Sequence, residues 1–386
     1  MAGGPLAGLK IIEIAGIGPG PFCAMMLADM GAEVIRVDRA KSAQGGLKQS
    51  AKKDVLNRGR RSLAVDLKAP KGTALMLDLI AGADGLLEGF RPGVIERLGL
   101  GPEVCLARNP KLVFGRMTGW GQTGPWAKMA GHDINYISIA GALHAFGRKG
   151  EKPTPPINMV GDFGGGGMLM AFGMVCGLLE AARSGKGQVI DAAMVDGSAL
   201  MMTMIHAFMA MGTWRDERGV NVLDTGAHFY EVFETADGKY MGVGSIEPQF
   251  YTLLLEKTGL SDDPAFAAQM DPNQWEPLKA KLADVFLTKT RAQWEAVFDR
   301  TDACVAPVLS MTEAPDHEHN RARGIFIDVA GITQAAPAPR FSRSAAGIPT
   351  PPSSPGEDTA QVLSSWGIAQ DRIDDLLGEG VVVQAE

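Results

Sequence analysis

The sequence predicts an α/β protein: a large domain built on a parallel sheet, with a smaller α+β domain following it. Three observations predict it. Short apolar runs alternate with helix-like segments as far as Thr118, two long apolar helices come next, and near Gly226 the pattern changes to paired β-rich runs followed by helices. Strands separated by short helices imply right-handed βαβ units and parallel neighbours.

Taken in order, Leu9–Ile14 (LKIIEI) reads as a buried strand, Pro21–Met30 as a helix ended by Gly31, and Ala32–Asp38 as a second strand. Leu63–Leu67, Ala83–Phe90 and Lys111–Thr118 are further strands, with helices at Lys71–Ile80 and Arg91–Leu98. The apolar helices span Gly164–Arg183 and Asp196–Gly212. His228–Ser245 holds two β-rich runs around Asp237-Gly238, a strong hairpin signal. Helices at Gln249–Lys257, Gln274–Leu287 and Arg291–Asp299 lead to a short strand at Ala303–Leu309. Ala335–Glu357, rich in Pro and Ser, reads as an extended connector before a last helix at Asp358–Leu377. A chain of 386 residues has room for two domains. The expected division is 1–200 with 325–386 for the large one and 226–318 for the small one, linked by 201–225 and 319–324.

Hydrophobic residues make up 46% and charged residues 21%, which is the balance of a globular chain rather than a disordered one. The net charge of −7 argues against nucleic acid as a partner, because phosphate binding needs a basic face. The cysteines Cys23, Cys105, Cys176 and Cys304 are far apart and form no C-x-x-C pair, so neither a metal site nor a disulfide framework is expected. Met1–Leu9 lacks the layout of a signal peptide, and Gln384-Ala385-Glu386 is no peroxisomal address. The longest uncharged runs are short for a membrane span and read as buried helices. A cytoplasmic protein is expected.

After the first strand comes GIGPGPF, Gly16 to Phe22. It invites a dinucleotide-binding reading with Asp38 as the ribose ligand. The third glycine of that fingerprint falls on Pro21, and two prolines remove N–H groups a pyrophosphate would need. A strand-to-helix turn is the better reading.

Three other segments carry chemistry: GHDINYIS (Gly131–Ser138), NMVGDFGGGG (Asn158–Gly167) and GSIEPQF (Gly244–Phe250). Singly, each has a bland reading. His132 could cap a helix, Asp162 could be a carboxylate at a helix start, and Glu247-Pro248 could merely open the next helix. Together, and with the opening LAGLKIIEIAGIGPGP, NRGRRSLAVDLK (Asn57–Lys68), EGFRPGVIERLGLG (Glu88–Gly101), RMTGWGQTGP (Arg116–Pro125), AAMVDGS (Ala192–Ser198) and DACVAPV (Asp302–Val308), the sequence resembles the class III CoA-transferase family over nearly its whole length. GHDINY combined with IEPQF resembles its α-methylacyl-CoA racemase branch. Transferases of the family use an aspartate matching Asp162 as a nucleophile, carry a glycine-rich loop where this chain has Ser245-Ile246-Glu247-Pro248, and lack the histidine.

The resemblance implies a large Rossmann-like domain built from both chain ends, a small α+β domain, and an interlocked homodimer with sites shared between subunits. It implies that His132 takes the proton beside a thioester from the 2S substrate while Asp162 donates to the opposite face, with the roles reversed for 2R. Removing so weakly acidic a hydrogen needs a positioned base and a stabilised enolate oxygen, and inversion needs a donor on the far side. Glu247 is expected to orient or tune the histidine. Asp133, adjacent to His132, is expected to point away from it. The helix start after Asp162 is expected to favour its ionised form, and Gly164–Gly167 to let backbone approach the substrate. Backbone N–H groups near Asp162 or at the start of the GHDINY helix are the expected enolate donors.

No metal or cofactor is expected, since CoA is part of the substrate. Contacts to CoA are implied for Arg39, Val65, Asp66, Leu67, Lys68, Gly89, Phe90, Arg91, Arg97, Gly131, Asp133, Ile134, Asn135 and Tyr136. The cluster Lys52, Lys53, Arg58, Arg60 and Arg61 is either a further phosphate site or a solvated loop. The methionines of Met194–Met211 suit either a varied acyl chain or packing. The alternative activity is a CoA-transferase with Asp162 as nucleophile. A third reading, a non-catalytic thioester binder, does not explain two proton carriers.

Overall fold

The structure is a computed structural model that describes residues 3–45 and 51–385; Glu386, the last residue of the terminal tripeptide, lies outside them. Among the described residues the strands are β1 (Lys10–Ile14), β2 (Glu33–Arg39), β3 (Arg61–Val65), β4 (Gly85–Glu88), β5 (Val113–Thr118), β6 (Gln188–Ala193), β7 (Tyr230–Glu234), β8 (Tyr240–Gly244), β9 (Val305–Pro307), β10 (Phe326–Val329), β11 (Ile332–Ala335) and β12 (Val382–Val383). The chain divides into two compact units. The first comprises Met1–Ala140, Ile157–Met201 and His319–Glu386; the second comprises Gly141–Pro156 and Met202–Glu318. The segment 141–156, expected in the large domain, belongs with the second unit. Arg148 in it pairs with the buried Glu231, and Gly219 lies so close to Lys149 that a side-chain carbon there would sit 2.3 Å from its nitrogen.

The first unit is a seven-stranded sheet in the order β12-β3-β2-β1-β4-β5-β6. All neighbours are parallel except β12 on β3. β1, β4 and β5 are buried on both faces, so they read as apolar runs in the sequence. β6 and β12 form the edges. The chain order reverses between β1 and β4, and the crevice outside the carboxyl ends of strands at such a point is where open α/β sheets bind ligands.

Met159–Ser184 is one helical run of 26 residues, longer than expected and, by length and composition alone, able to cross a membrane. One side of it lies on the sheet. A side-chain carbon at Gly177 would meet Val113 at 2.8 Å, and one at Gly173 would meet Ile190 at 3.2 Å. The apolar stretch after Asp196 is two helices, Met194–Met201 and Thr203–Ala210, and the last predicted helix is also two, Thr359–Ser365 and Gln370–Gly378.

In the second unit β7 and β8 form the hairpin predicted at Asp237-Gly238, where Gly238 has φ 68°, and β9 pairs antiparallel with β8. The sheet packs on Trp275–Phe286 and Arg291–Phe298; Phe233 stacks on Phe286 with ring centroids 5.0 Å apart. His228 is fully enclosed beside this core, its Nε2 2.7 Å from the Tyr251 hydroxyl. Burial, aided by Lys279, pushes its pKa from 6.5 down to about 4. The unfolded chain therefore binds a proton that the folded one refuses between those values. The stability held by neutral His228 is complete above about pH 6.5 and lost as pH falls toward about 4, on the order of 3 kcal/mol at full extent. The urea midpoint should fall more steeply from pH 7 to 5 in the native chain than in His228→Gln; equal slopes would refute this.

Candidate active site

Residues after β1, β2, β4 and β5 enclose a cleft of about 740 Å³ in the first unit, at the reversal point of the sheet. The turn after β1, Ala15–Gly18, and the first residues of the helix that follows, Pro19–Pro21, form one wall; Pro19 stands in the first turn of that helix, where a missing N–H costs nothing. Gly89, Phe90 and Arg91 follow β4, and Thr118, Gly119 and Trp120 close β5. His132, Tyr136, Asn158 and Asp162 complete the enclosure.

His132 is the N-cap of the helix Asp133–Ile139, in extended backbone, and its N–H donates to Asn135 Oδ1 at 3.0 Å. The N–H groups of Asn135 and Tyr136 donate to the His132 carbonyl. This fixes the histidine backbone and leaves its ring exposed to the cleft. Asp162 lies in a π-helical stretch, Met159–Met168, a geometry that recurs at functional sites. Its Oδ2 accepts from Asn158 Nδ2 at 3.0 Å and lies 3.6 Å from where a side-chain carbon on Gly18 would sit. Gly18 has φ +70°, so glycine both permits the turn and leaves room for the carboxylate.

Burial pushes the Asp162 pKa above 3.8; the Asn158 hydrogen bond opposes the rise, the Asp133 charge adds to it and His132 opposes it. This corrects the expectation that the helix start would favour the ionised form. Asp162 stands four residues into the helical run that opens at Met159 rather than before it, and burial is the first cause of the rise. The Tyr136 hydroxyl is pushed upward by burial and by the Asp162 charge, which marks the ring as a neighbour of that carboxylate.

The glycine run also differs from expectation. A side-chain carbon at Gly165 would sit 2.7 Å from the Ser198 nitrogen, one at Gly166 3.0 Å from Pro19 Cβ, and one at Gly167 2.7 Å from Phe22 Cδ1. Gly197 faces the Gly165 carbonyl at 1.9 Å on the same construction. These glycines let three helices touch backbone to backbone and thereby seat Asp162. They are packed against protein rather than open to substrate.

Of the residues implied in CoA contacts, the structure brings Arg39, Gly89, Phe90, Arg91, Gly131 and Tyr136 to the cleft with His132 and Asp162. Arg39 and Arg91 are exposed and form no ion pair among the described residues, so both guanidinium groups can receive phosphate. Val65, Asp66, Leu67 and Lys68 lie at the end of β3, with β2 between them and β1, and do not line the cleft; neither do Arg97, Ile134 and Asn135. The Asp133 side chain is buried, and its Oδ2 accepts the N–H groups of Gly161 at 2.6 Å and Asp162 at 2.8 Å, so it is not a cleft-facing contact. Those two N–H groups are thereby taken, which removes them from the expected enolate donors.

The basic cluster before β3 is neither a phosphate site nor a solvated loop for most of its members. Arg58 grips Asp29, Arg60 pairs with Glu13 and both are buried; Arg61 pairs with Glu33, and Lys52 with Glu357. Glu247, in the second unit, caps the helix Pro248–Thr258, and its charge helps raise the pKa of Cys304, after burial. Sequence reasoning overlooked Asn158 as the donor to Asp162, although its i, i+4 spacing was available. It also overlooked Glu88, whose Oε2 accepts the Phe90 N–H at 2.7 Å while Oε1 accepts from Arg116 at 3.0 Å, fixing the turn that carries Phe90 and Arg91.

The chain as a whole is similar to known proteins. The profile of CoA-transferase family III matches residues 6–359. A mouse (Mus musculus) protein named alpha-methylacyl-CoA racemase is 47% identical over 98% of this chain and 97% of its own, and a human (Homo sapiens) protein of the same name is 44% identical over the same shares. A CAIB/BAIF family protein from Brucella suis superposes with a TM-score of 0.81 at 25% identity, covering 94% of this chain and all of that one. A profile match through both units, relatives alike from end to end and a common fold leave one assignment: the chain belongs to CoA-transferase family III.

Proposed function

We propose that this chain is an α-methylacyl-CoA racemase, interconverting (2R)- and (2S)-2-methylacyl-CoA thioesters by 1,1-proton transfer through an enolate. The observation that carries the reading is the pairing of His132 with a half-buried Asp162 in one cleft at the carboxyl ends of the strands. The names of the mouse and human relatives support it.

For the 2S substrate, neutral His132 takes the α-proton, and the C–H electron pair passes into the enolate with its charge on the thioester oxygen. Asp162, in its acid form, protonates the opposite face. Its raised pKa keeps that form within reach, as a general acid requires. The 2R substrate runs the same steps backwards. Arg39 and Arg91 are proposed to hold CoA phosphates. Every step is a proton transfer between side chain and carbon, so we propose no cofactor beyond the CoA of the substrate.

The proposal extends to a cytoplasmic homodimer. In the first unit the helix Leu169–Ser184 leaves Phe172 68% exposed, with Val175 and Leu179 on the same side at helical spacing, an apolar face that a second copy would cover. Glu247 stays in the proposal as the carboxylate that tunes the histidine.

Proton NMR of a single-enantiomer 2-methylacyl-CoA in D₂O, without any acceptor acid, tests the activity. Loss of the α-proton signal with both enantiomers appearing is the expected result. An undiminished signal, with thioester transfer once a free carboxylic acid is supplied, would replace the racemase by a transferase using Asp162 as nucleophile.

A further inference from the structure

We propose that Asp133 is the positioning residue that sets the spacing of the two proton carriers, through a carboxylate that clamps the backbone of one while the adjacent peptide holds the other. The proposal rests on the reading of His132 and Asp162 as the acid/base pair.

The geometry is specific. Asp133 is the first residue of the helix that His132 caps, so the two share a peptide bond. Its side chain is 5% exposed, and its Oδ2 receives two successive N–H groups, Gly161 at 2.6 Å and Asp162 at 2.8 Å. Two successive donors on one oxygen fix the orientation of the Gly161–Asp162 peptide as well as its distance. Position 161 is open to no larger residue. A side-chain carbon there would sit 2.6 Å from that same Oδ2 and 2.9 Å from Asp133 Cγ. The aspartate and the glycine are thus one device, which brings the start of the π-helical stretch against the start of the histidine's helix.

A charge at this place acts on chemistry as well as on position. The groups facing Asp162 are Asn158, Asp133, His132 and Tyr136, and the cleft adds Glu13, Arg39, Glu88 and Arg91. Among the causes of the raised Asp162 pKa, Asp133 is the like charge. Asparagine at 133 keeps an acceptor oxygen for both N–H groups and removes that charge. Alanine removes the clamp itself.

The experiment compares Asp133→Asn, Asp133→Ala and His132→Ala as full-length proteins. It follows α-proton exchange and, by chiral separation, racemisation of (2R)-2-methylacyl-CoA in D₂O between pH 4 and 9, with folding checked by circular dichroism. For Asp133→Asn the acid limb of kcat/KM should move to lower pH, because Asp162 now ionises more readily, while kcat stays within about tenfold of the native value. For Asp133→Ala kcat should fall on the order of 100-fold with KM little changed, the scale expected of a misplacement near 1 Å. A merely structural aspartate would lower activity without moving the acid limb. An unmoved limb in Asp133→Asn overturns the proposal, and so does native kcat in folded Asp133→Ala. Should the alanine variant fail to fold, the limb of the asparagine variant alone decides. Racemisation unchanged in His132→Ala would overturn the acid/base reading and the clamp with it. Loss of racemisation in that variant, with the limb of Asp133→Asn unmoved, would overturn the clamp alone.

Discussion

Alanine in place of His132 is expected to stop α-proton exchange from the 2S substrate by on the order of 1,000-fold, within the range a positioned acid or base contributes, while the 2R substrate keeps exchanging without inverting. Asp162 is untouched by the change and can still take the proton that faces it. The enolate then finds no donor on the opposite side, so Asp162, which has exchanged with solvent, returns a deuteron to the face it came from. Asp162→Asn should give the mirror result, with exchange surviving only for 2S. Proton NMR reads the exchange, and chiral separation of the hydrolysed acids reads the configuration. If both variants lost exchange of both enantiomers alike, a single group would be serving both faces and the two-base scheme would fail. The native enzyme adds a check on sign. Exchange of 2R needs ionised Asp162, and burial raises its pKa above 3.8. The rate should therefore fall on acidification at a higher pH than an ordinary carboxylate would dictate.

Much of this site could be read from the sequence, and the parts that could not share a cause. Chemistry-bearing residues within short motifs, such as His132 and Asp162, announce themselves through their neighbours in the chain. What holds them does not. The bond from Asp133 to the Gly161 and Asp162 peptides joins positions 28 and 29 residues apart, and no local pattern encodes it. The run Gly164–Gly167 signals close approach, and only the packed helices show that the approaching partners are Pro19, Phe22 and Ser198. The helix start suggests an ionised Asp162, and the burial that raises its pKa is a tertiary quantity no local pattern shows. The fold shows the same division. β1, β4 and β5 are legible as buried apolar runs. β6 is an edge strand open to solvent along its first four residues and buried only at Ala192 and Ala193, between two long helices, and β12 is two residues long. The hairpin of β10 and β11 turns at Ala330-Gly331, both at positive φ, without the Asn-Gly or Asp-Gly pair that would have marked it.

Arg58 shows how far a charged run can mislead, and it carries the second large effect. Arg58→Ala is expected to cost about 3–5 kcal/mol of stability, the scale of breaking one side of a buried ion pair. Arg58 Nε and Nη2 donate to the two oxygens of Asp29 at 3.1 and 2.6 Å, and Nη1 donates to Gln334 Oε1 at 2.8 Å and the Ala335 carbonyl at 2.7 Å. One guanidinium thus joins the end of the helix Pro19–Asp29, whose start walls the cleft, to β11. Its removal leaves the Asp29 carboxylate buried with no counter-charge at hydrogen-bond distance. Burial already raises the Asp29 pKa, with Arg58 opposing, so the variant raises it further. A carboxylate with a raised folded pKa favours folding when protonated and opposes it when ionised. The deficit of Arg58→Ala should accordingly be greatest at neutral pH and shrink as pH falls toward 3.8, the ordinary value. Asp29→Leu combined with Arg58→Leu removes both charges and should recover much of the loss, since a buried pair replaced by apolar groups is often neutral. Guanidinium titration of the native protein and the two variants at pH 8 and pH 5 measures each term. A deficit independent of pH, or a double variant no more stable than Arg58→Ala, would mean that the pair acts through packing and not through charge.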